Sequence, residues 1–132
     1  IYHTDTREHT IFKYDYHRKT GELSNRRSFI RIEEGSARPD GMTVDSEGCV
    51  WSAIWEGGCV IKFSPEGDEL TRIQLPAQKV SCPAFGGNHL SDMYITTAGG
   101  EKREAEGDGA GGLFRVTPDV PGKAEFHSKI KL

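Results

Sequence analysis

The sequence has no apolar run near the roughly 20 residues that an α-helix needs to cross a bilayer, and it has no surplus of basic residues. Its 17 lysines and arginines are outnumbered by 20 aspartates and glutamates, which gives a formal net charge of −3. A nucleic-acid surface needs a clustered basic face, but the densest basic stretch, Arg26-Arg27 with Arg31, is short and interrupted by apolar residues. We therefore expect neither a membrane span nor a nucleic-acid partner.

Cysteine is also scarce. Cys49, Cys59 and Cys82 are an odd number of residues and show no Cys-x-x-Cys spacing, so neither a disulfide framework nor a zinc knuckle is indicated. Ser81-Cys82 could form a nucleophile pair, but the strand-like setting before Phe85 favours a buried packing role for Cys82. A reducing, cytoplasmic setting fits this cysteine usage.

A sustained apolar stripe with a period of 3.6 residues, the mark of an amphipathic helix, is missing as well. Instead, a unit repeats: an aromatic residue after an apolar one, a short alternating run, a turn, and a second run of the type Val-Ile-Lys-Phe. The anchoring aromatics Tyr2, Trp51 and Tyr94 are 49 and 43 residues apart. Repeats of about 40–50 residues made of short strands are typical of β-propeller blades.

The repeat predicts an all-β chain that forms part of a propeller, as a single partial domain over residues 1–132. Its blades are expected near residues 1–35, 36–80 and 81–125, which is roughly two and a half to three blades, whereas a closed propeller needs at least four. Because an open stack exposes strand edges and apolar faces, we expect the ring to close through further blades or through self-association.

Two local predictions follow from the residue pattern. Around the turn Glu56-Gly57-Gly58, alternation predicts that one face of a hairpin carries Trp51, Ala53, Trp55, Cys59, Ile61 and Phe63. The opposite face is only partly polar, so neighbouring blades are expected to cover both. The segment 99–112, "GGEKREAEGDGAGG", has six glycines and four acidic residues and predicts a mobile surface loop.

Two aspartates in "ARPDGMTVDSEGCVW" are candidates for chemistry. Asp45 begins "DSEG", where aspartate at the first position and glycine at the last are expected of a turn. Asp40 lies between Pro39 and Gly41 at the start of a predicted strand, and these residues leave open an Asx-type turn or a functional carboxylate. The start of the innermost strand in a propeller faces the central channel, where side chains of several blades can meet.

The stretch "RPDGMTVDSEGCVWSAIWEGGCVIKFSPEG", with "LPAQKVSCPAFGG" and "MYITTA" after it, resembles the gluconolactonase/regucalcin (senescence marker protein) family. The upstream "FKYDYHRKTGELSNRRSF" and the closing "GGLFRVTPDVPG" extend the resemblance over residues 1–122. The resemblance implies the C-terminal half of a six-bladed propeller whose channel holds one divalent cation. It also implies hydrolysis of sugar lactones, small molecules that would be the binding partners.

By its place in the "PDG" motif, Asp40 is implied to be both a metal ligand and the general base, with the remaining ligands expected upstream of Ile1. Oxygen ligands disfavour only the soft metals, so Ca²⁺ or Zn²⁺ is expected, with Mg²⁺ or Mn²⁺ as alternatives. Burial would raise the pKa of such a carboxylate and direct metal ligation would lower it; the sequence leaves the balance open. Two other interpretations stay open, a non-catalytic calcium-binding or scaffolding propeller and an inactive fragment.

Overall fold

Three antiparallel sheets follow one another along the chain in the computed structural model, which describes residues 1–33, 35–100 and 103–125. The first sheet contains β1 (Tyr2–Asp5), β2 (Thr10–His17) and β3 (Glu22–Arg31). The middle sheet contains β4 (Arg38–Val44), β5 (Val50–Trp55), β6 (Cys59–Phe63) and β7 (Glu69–Gln74). The third sheet contains β8 (Val80–Gly86), β9 (Asp92–Thr97) and β10 (Leu113–Val116). Within each sheet, strands adjacent in sequence pair with one another, and the architecture confirms the all-β prediction.

Helical structure within the described ranges amounts to two short 3₁₀ segments, Asn88–Leu90 and Arg103–Glu106. No helix in these ranges is long and apolar enough to cross a membrane.

The predicted repeat has a structural counterpart in each sheet. Tyr2 lies in β1, Trp51 in β5 and Tyr94 in β9, and each of these strands pairs with the strand that follows it. The residue directly opposite each aromatic is a cation: Lys13, Lys62 and Arg115, respectively. The two lysine nitrogens lie 5.6 Å and 5.4 Å from the centroids of the tyrosine and tryptophan rings. The repeated unit therefore includes a cationic cross-strand partner as well as the aromatic residue.

The middle sheet is covered on both faces, as the sequence predicted. One face packs against Ile11, Ile30 and Ile32 of the first sheet and its connection. The other packs against Val80, Met93 and Ile95 of the third sheet. Burial of apolar side chains on both faces provides the main stabilisation of this arrangement, at about 25 cal/mol per Å² of apolar surface.

The predicted faces of the β5–β6 hairpin are wrong by one residue. Ile54 pairs with Cys59, so the loop between paired residues contains four residues, 55–58. Glu56 and Gly58 adopt left-handed conformations in it, with φ of 61° and 64°. The sequence predicts a three-residue loop, Glu56-Gly57-Gly58, which differs from the observed loop by one residue. A shift of one residue moves every side chain of one strand to the other face. Toward the first sheet the hairpin presents Ile54, Cys59, Ile61 and Phe63; toward the third it presents Trp51, Ala53 and Val60.

The segment after β9 also differs from its prediction as a mobile surface loop. Lys102 and the residue before it lie outside the described residues, but from Arg103 onward the segment packs against the β7–β8 connection. Glu106 is buried and forms an ion pair with Lys79, and its carbonyl accepts a hydrogen bond of 2.7 Å from the Gln78 N–H. The hydroxyl of Thr97 donates to the carbonyls of the loop at 3.0 Å. These contacts fix this part of the loop onto the sheets.

Candidate functional site

Asp40 lies at a β-bulge in β4, the edge strand of the middle sheet. Pro39 pairs with Ile54 and Met42 pairs with Ser52, so β4 has one more residue than β5 across this interval. A bulge redirects the side chains of the residues that it adds and is frequent beside active sites. The chain therefore places the carboxylate of Asp40 at an irregular point of an otherwise regular strand.

The environment of Asp40 makes its charged form costly. The residue is half-buried, and this burial raises the pKa of its carboxyl above the ordinary value, although a hydrogen bond from the Gly41 N–H opposes the shift. Within residues 1–33, 35–100 and 103–125, no lysine, arginine or histidine nitrogen forms an ion pair with it. A partly desolvated carboxylate without a cationic neighbour fits a divalent cation, since the cation would supply the missing positive charge.

Gly41 allows β4 and β8 to approach each other closely beside Asp40. A Cβ atom on Gly41 would lie 2.6 Å from Cys82 Sγ and 2.7 Å from the Ser81 carbonyl oxygen. Both distances are shorter than atomic contacts allow, so no side chain fits at this position. The glycine of the "PDG" motif is therefore required by packing against the third sheet.

Cys82 is exposed, and the predicted buried packing role is wrong. The regular alternation of β8 breaks between Val80 and Cys82, where the register with β9 shifts. At this bulge the thiol lies against Gly41 of β4. Partial burial together with the negative charge of Asp40 raises the pKa of the Cys82 thiol, which places the two groups in the same electrostatic environment.

Asp45 forms the predicted turn and also binds groups that the sequence analysis did not connect with it. Its Oδ1 accepts hydrogen bonds from the N–H groups of Glu47 at 3.0 Å and Cys49 at 2.9 Å. Its Oδ2 accepts from Trp51 Nε1 at 3.0 Å and lies 3.0 Å from Lys62 Nζ. Both charged groups are in the interior, with Asp45 fully buried. The signal that could have revealed the pair was Lys62 itself, because a lysine inside a buried apolar strand needs a counter-ion.

The carboxylates of Asp45 and Glu47 and the thiol of Cys49 lie within 4.8 Å of one another, a spacing compatible with a metal ion. The Lys62 ammonium, however, already supplies the positive charge, and both Asp45 oxygens are taken by hydrogen bonds. This cluster is therefore occupied by its own ion pair and lies apart from the sequence-predicted ligand, Asp40. Among the described residues, Asp40 belongs to no group of three or more potential metal ligands.

Comparison with known proteins identifies a family that this chain matches. Residues 1–99 match the family model described as SMP-30/Gluconolactonase/LRE-like region. Pentonolactonase XacC of Haloferax volcanii is 45% identical, over 100% of this chain and 48% of its own length. Regucalcin of Gallus gallus is 38% identical, over 89% of this chain and 40% of its own length. The chain thus spans about half, or less, of the length of these curated relatives.

Among solved structures, the calcium-binding protein regucalcin from Agrobacterium tumefaciens superimposes with a TM-score of 0.84. It is 26% identical, and the match covers 94% of this chain and 43% of that one. The three sheets are therefore part of a β-propeller, which confirms the predicted architecture.

Proposed function

The chain belongs to the SMP-30/gluconolactonase/LRE-like family, and on that basis we propose that this protein hydrolyses sugar lactones with the help of a divalent cation. The name of the pentonolactonase relative supports a lactone as the substrate class. The observation on this chain that carries the proposal is the half-buried carboxylate of Asp40, held at a bulge with no ion-pair partner among the described residues.

The carboxylate of Asp40 would hold the cation, and the other ligands would come from outside the described residues. A hard cation needs several oxygen ligands, and the relatives are about twice as long as this chain. We therefore include in the proposal that further blades, or a second copy, complete the site. The calcium-binding relative favours Ca²⁺, and carboxylate ligation also suits Zn²⁺, Mg²⁺ and Mn²⁺.

The chemistry assigned to Asp40 is that of a general base. A water oxygen attacks the lactone carbonyl carbon while Asp40 accepts a proton from that water. The ring C–O bond then breaks, and Asp40 returns the proton to the leaving ring oxygen to give the hydroxy acid. Burial raises the pKa of Asp40 in the absence of the cation, and ligation of the cation would lower it again. When bound, the cation would polarise the carbonyl as a Lewis acid.

The test is the release of acid from D-glucono-δ-lactone and pentonolactones, measured by pH-stat while the cation is titrated into the complete protein. Asp40→Asn should reduce metal-dependent hydrolysis by about 100-fold or more, since it removes the base and a charged ligand. Asp119→Asn is the matched control, because Asp119 is an exposed aspartate that lies outside β4, after β10. Full metal-dependent activity in Asp40→Asn would show that the assigned role is wrong.

A second candidate is a calcium-binding propeller without turnover, which the description of the Agrobacterium relative as a calcium-binding protein favours. The same titration separates the two candidates. Saturable binding of Ca²⁺ that Asp40→Asn weakens, with no acid release from any lactone, would support the second. Acid release that depends on both the cation and Asp40 would support the first.

A further inference from the structure

The bulge of β4 has a well-defined position relative to the aromatic anchor of its sheet. Pro39 pairs with Ile54, three residues after Trp51, and Met42 pairs with Ser52, one residue after Trp51. Asp40 and Gly41 are the two residues between these pairs. The position of the aspartate is thus defined by backbone register alone, without reference to its chemistry.

The third sheet repeats this arrangement. Val80 pairs with Thr97, three residues after Tyr94, and Pro83 pairs with Ile95, one residue after Tyr94. Ser81 and Cys82 are the two residues between them. Cys82 pairs with Thr96, so Ser81 is the residue that the bulge adds, and the register of β8 shifts here as the register of β4 does. Ser81 is therefore the counterpart, in the third sheet, of the aspartate in β4.

The two positions are also neighbours in space. Gly41 packs so closely on β8 that a Cβ atom there would lie 2.7 Å from the Ser81 carbonyl oxygen. Asp40 is the third residue of β4 and Ser81 is the second residue of β8, so both lie near the start of their strands.

The hydroxyl of Ser81 belongs to an ordered chain of hydrogen bonds. Thr96 Oγ1 donates to the Cys82 carbonyl oxygen at 3.3 Å, and Ser81 Oγ lies 2.8 Å from Thr96 Oγ1. A hydroxyl has one proton to donate and two lone pairs that accept. Either hydroxyl can donate to the other, and in both arrangements Ser81 Oγ keeps a lone pair that can accept a further hydrogen bond.

We propose that Ser81 Oγ accepts a hydrogen bond from a hydroxyl group of the lactone and so favours polyhydroxylated lactones over plain ones. This inference rests on the proposed function and adds to it a residue that distinguishes among substrates. Sites that hydrogen-bond a substrate hydroxyl discriminate against analogues that lack it, because the acceptor is then left unpaired.

The experiment compares D-glucono-δ-lactone with δ-valerolactone, which has the same ring size and no hydroxyl groups, in the complete protein. Ser81→Ala should lower kcat/KM for the sugar lactone by about two- to tenfold, the range for one neutral hydrogen bond, and leave hydrolysis of δ-valerolactone unchanged. Ser81→Thr retains the hydroxyl and should restore the preference. Ser91→Ala is the matched control, since Ser91 bonds the Asn88 carbonyl at the opposite end of the β8–β9 pair, and both lactones should be unaffected.

The outcomes separate this inference from the function on which it rests. An equal loss for both lactones in Ser81→Ala, or no loss for either, would overturn the inference while an active wild type upholds the lactonase. Failure of the wild type to release acid from either lactone would overturn the proposed function and the inference together. Thermal unfolding of each variant, compared with the wild type, identifies any loss that comes from misfolding.

Discussion

Lys62 Nζ lies 3.0 Å from Asp45 Oδ2 in the interior of the middle sheet, and the same oxygen accepts the indole N–H of Trp51. The aspartate comes from the turn after β4, the lysine from β6 and the tryptophan from β5. The Asp45 carboxylate thus links the end of β4 to β5 and β6. Burial would by itself lower the pKa of Lys62, but its hydrogen bond to Asp45 and the charge of that residue outweigh burial and raise it.

Removal of the Asp45 charge should destabilise the fold strongly. Asp45→Asn leaves the buried Lys62 ammonium with only the longer, 3.8 Å contact to the exposed Glu47 carboxylate, and loss of one partner of a buried pair costs about 3–5 kcal/mol. Urea unfolding of the wild type and the variant measures the difference. Glu33→Gln is the control, because the Glu33–Arg31 pair is exposed and such pairs contribute about 0–1 kcal/mol. A similar, small loss in both variants would contradict the role of the buried pair.

The same pair predicts how stability depends on acid. Burial raises the pKa of Asp45, but the hydrogen bonds from Trp51, Lys62 and the Cys49 N–H outweigh it and hold the pKa below the ordinary 3.8. The folded state thus binds this proton less readily than the unfolded state. The stabilisation is present above pH 3.8 and is lost as the pH falls through the lower folded-state pKa.

The measurement is the free energy of unfolding between about pH 6 and pH 2 for the wild type and Asp45→Asn. The wild type should lose more stability than the variant at the acid end of this range, so that the two curves converge. Parallel curves would show that the Asp45 carboxylate does not govern this loss.

Gly41→Ala should damage both stability and the site. The new methyl group would meet Cys82 Sγ and the Ser81 carbonyl, and because backbone cannot move aside as a side chain does, overpacking of this kind costs about 1–3 kcal/mol. Separation of β4 from β8 would also displace Asp40. Thermal unfolding and acid release check the two effects. Gly100→Ala, where nothing lies within 4 Å, should leave both unchanged; equal behaviour of the two variants would refute the packing argument.

Glu106→Gln should release the loop that precedes β10. The change removes the charge that pairs with Lys79, while the side chain keeps its size. Limited trypsin digestion should then cleave faster after Arg103, an exposed residue at the start of the same 3₁₀ segment. Glu104→Gln, an exposed neighbour, serves as the control and should be cleaved at the wild-type rate. If both variants are cleaved alike, the buried ion pair does not hold the loop.

Several features could be predicted from local sequence because their causes are local. The turn at Asp45 follows from an aspartate and a glycine at fixed places, and its N–H contacts lie within four residues. The strands follow from alternation and from the repeat of Tyr2, Trp51 and Tyr94. The burial of both faces of the middle sheet likewise follows from the apolar character of its strands.

The errors come from features that depend on pairing between strands. The hairpin faces depended on whether its loop has an even or an odd number of residues, which the residues "WEGG" did not reveal. The exposure of Cys82 depended on a bulge in β8, and the packing of Glu106 depended on Lys79, 27 positions earlier. Periodicity within a single strand contains no information about such partners.

The sequence by itself determined the strand composition, the repeat and the turn at Asp45, because each follows from the order of neighbouring residues. The choice of Asp40 as the candidate carboxylate rests on the family resemblance of its motif. Only the tertiary structure decided that Lys62 neutralises Asp45, that Gly41 backs onto Ser81 and Cys82, and that Ser81 repeats the position of Asp40. Those relationships join residues 17 to 41 positions apart, and they exist only once strand register and the packing of one sheet on the next have been established.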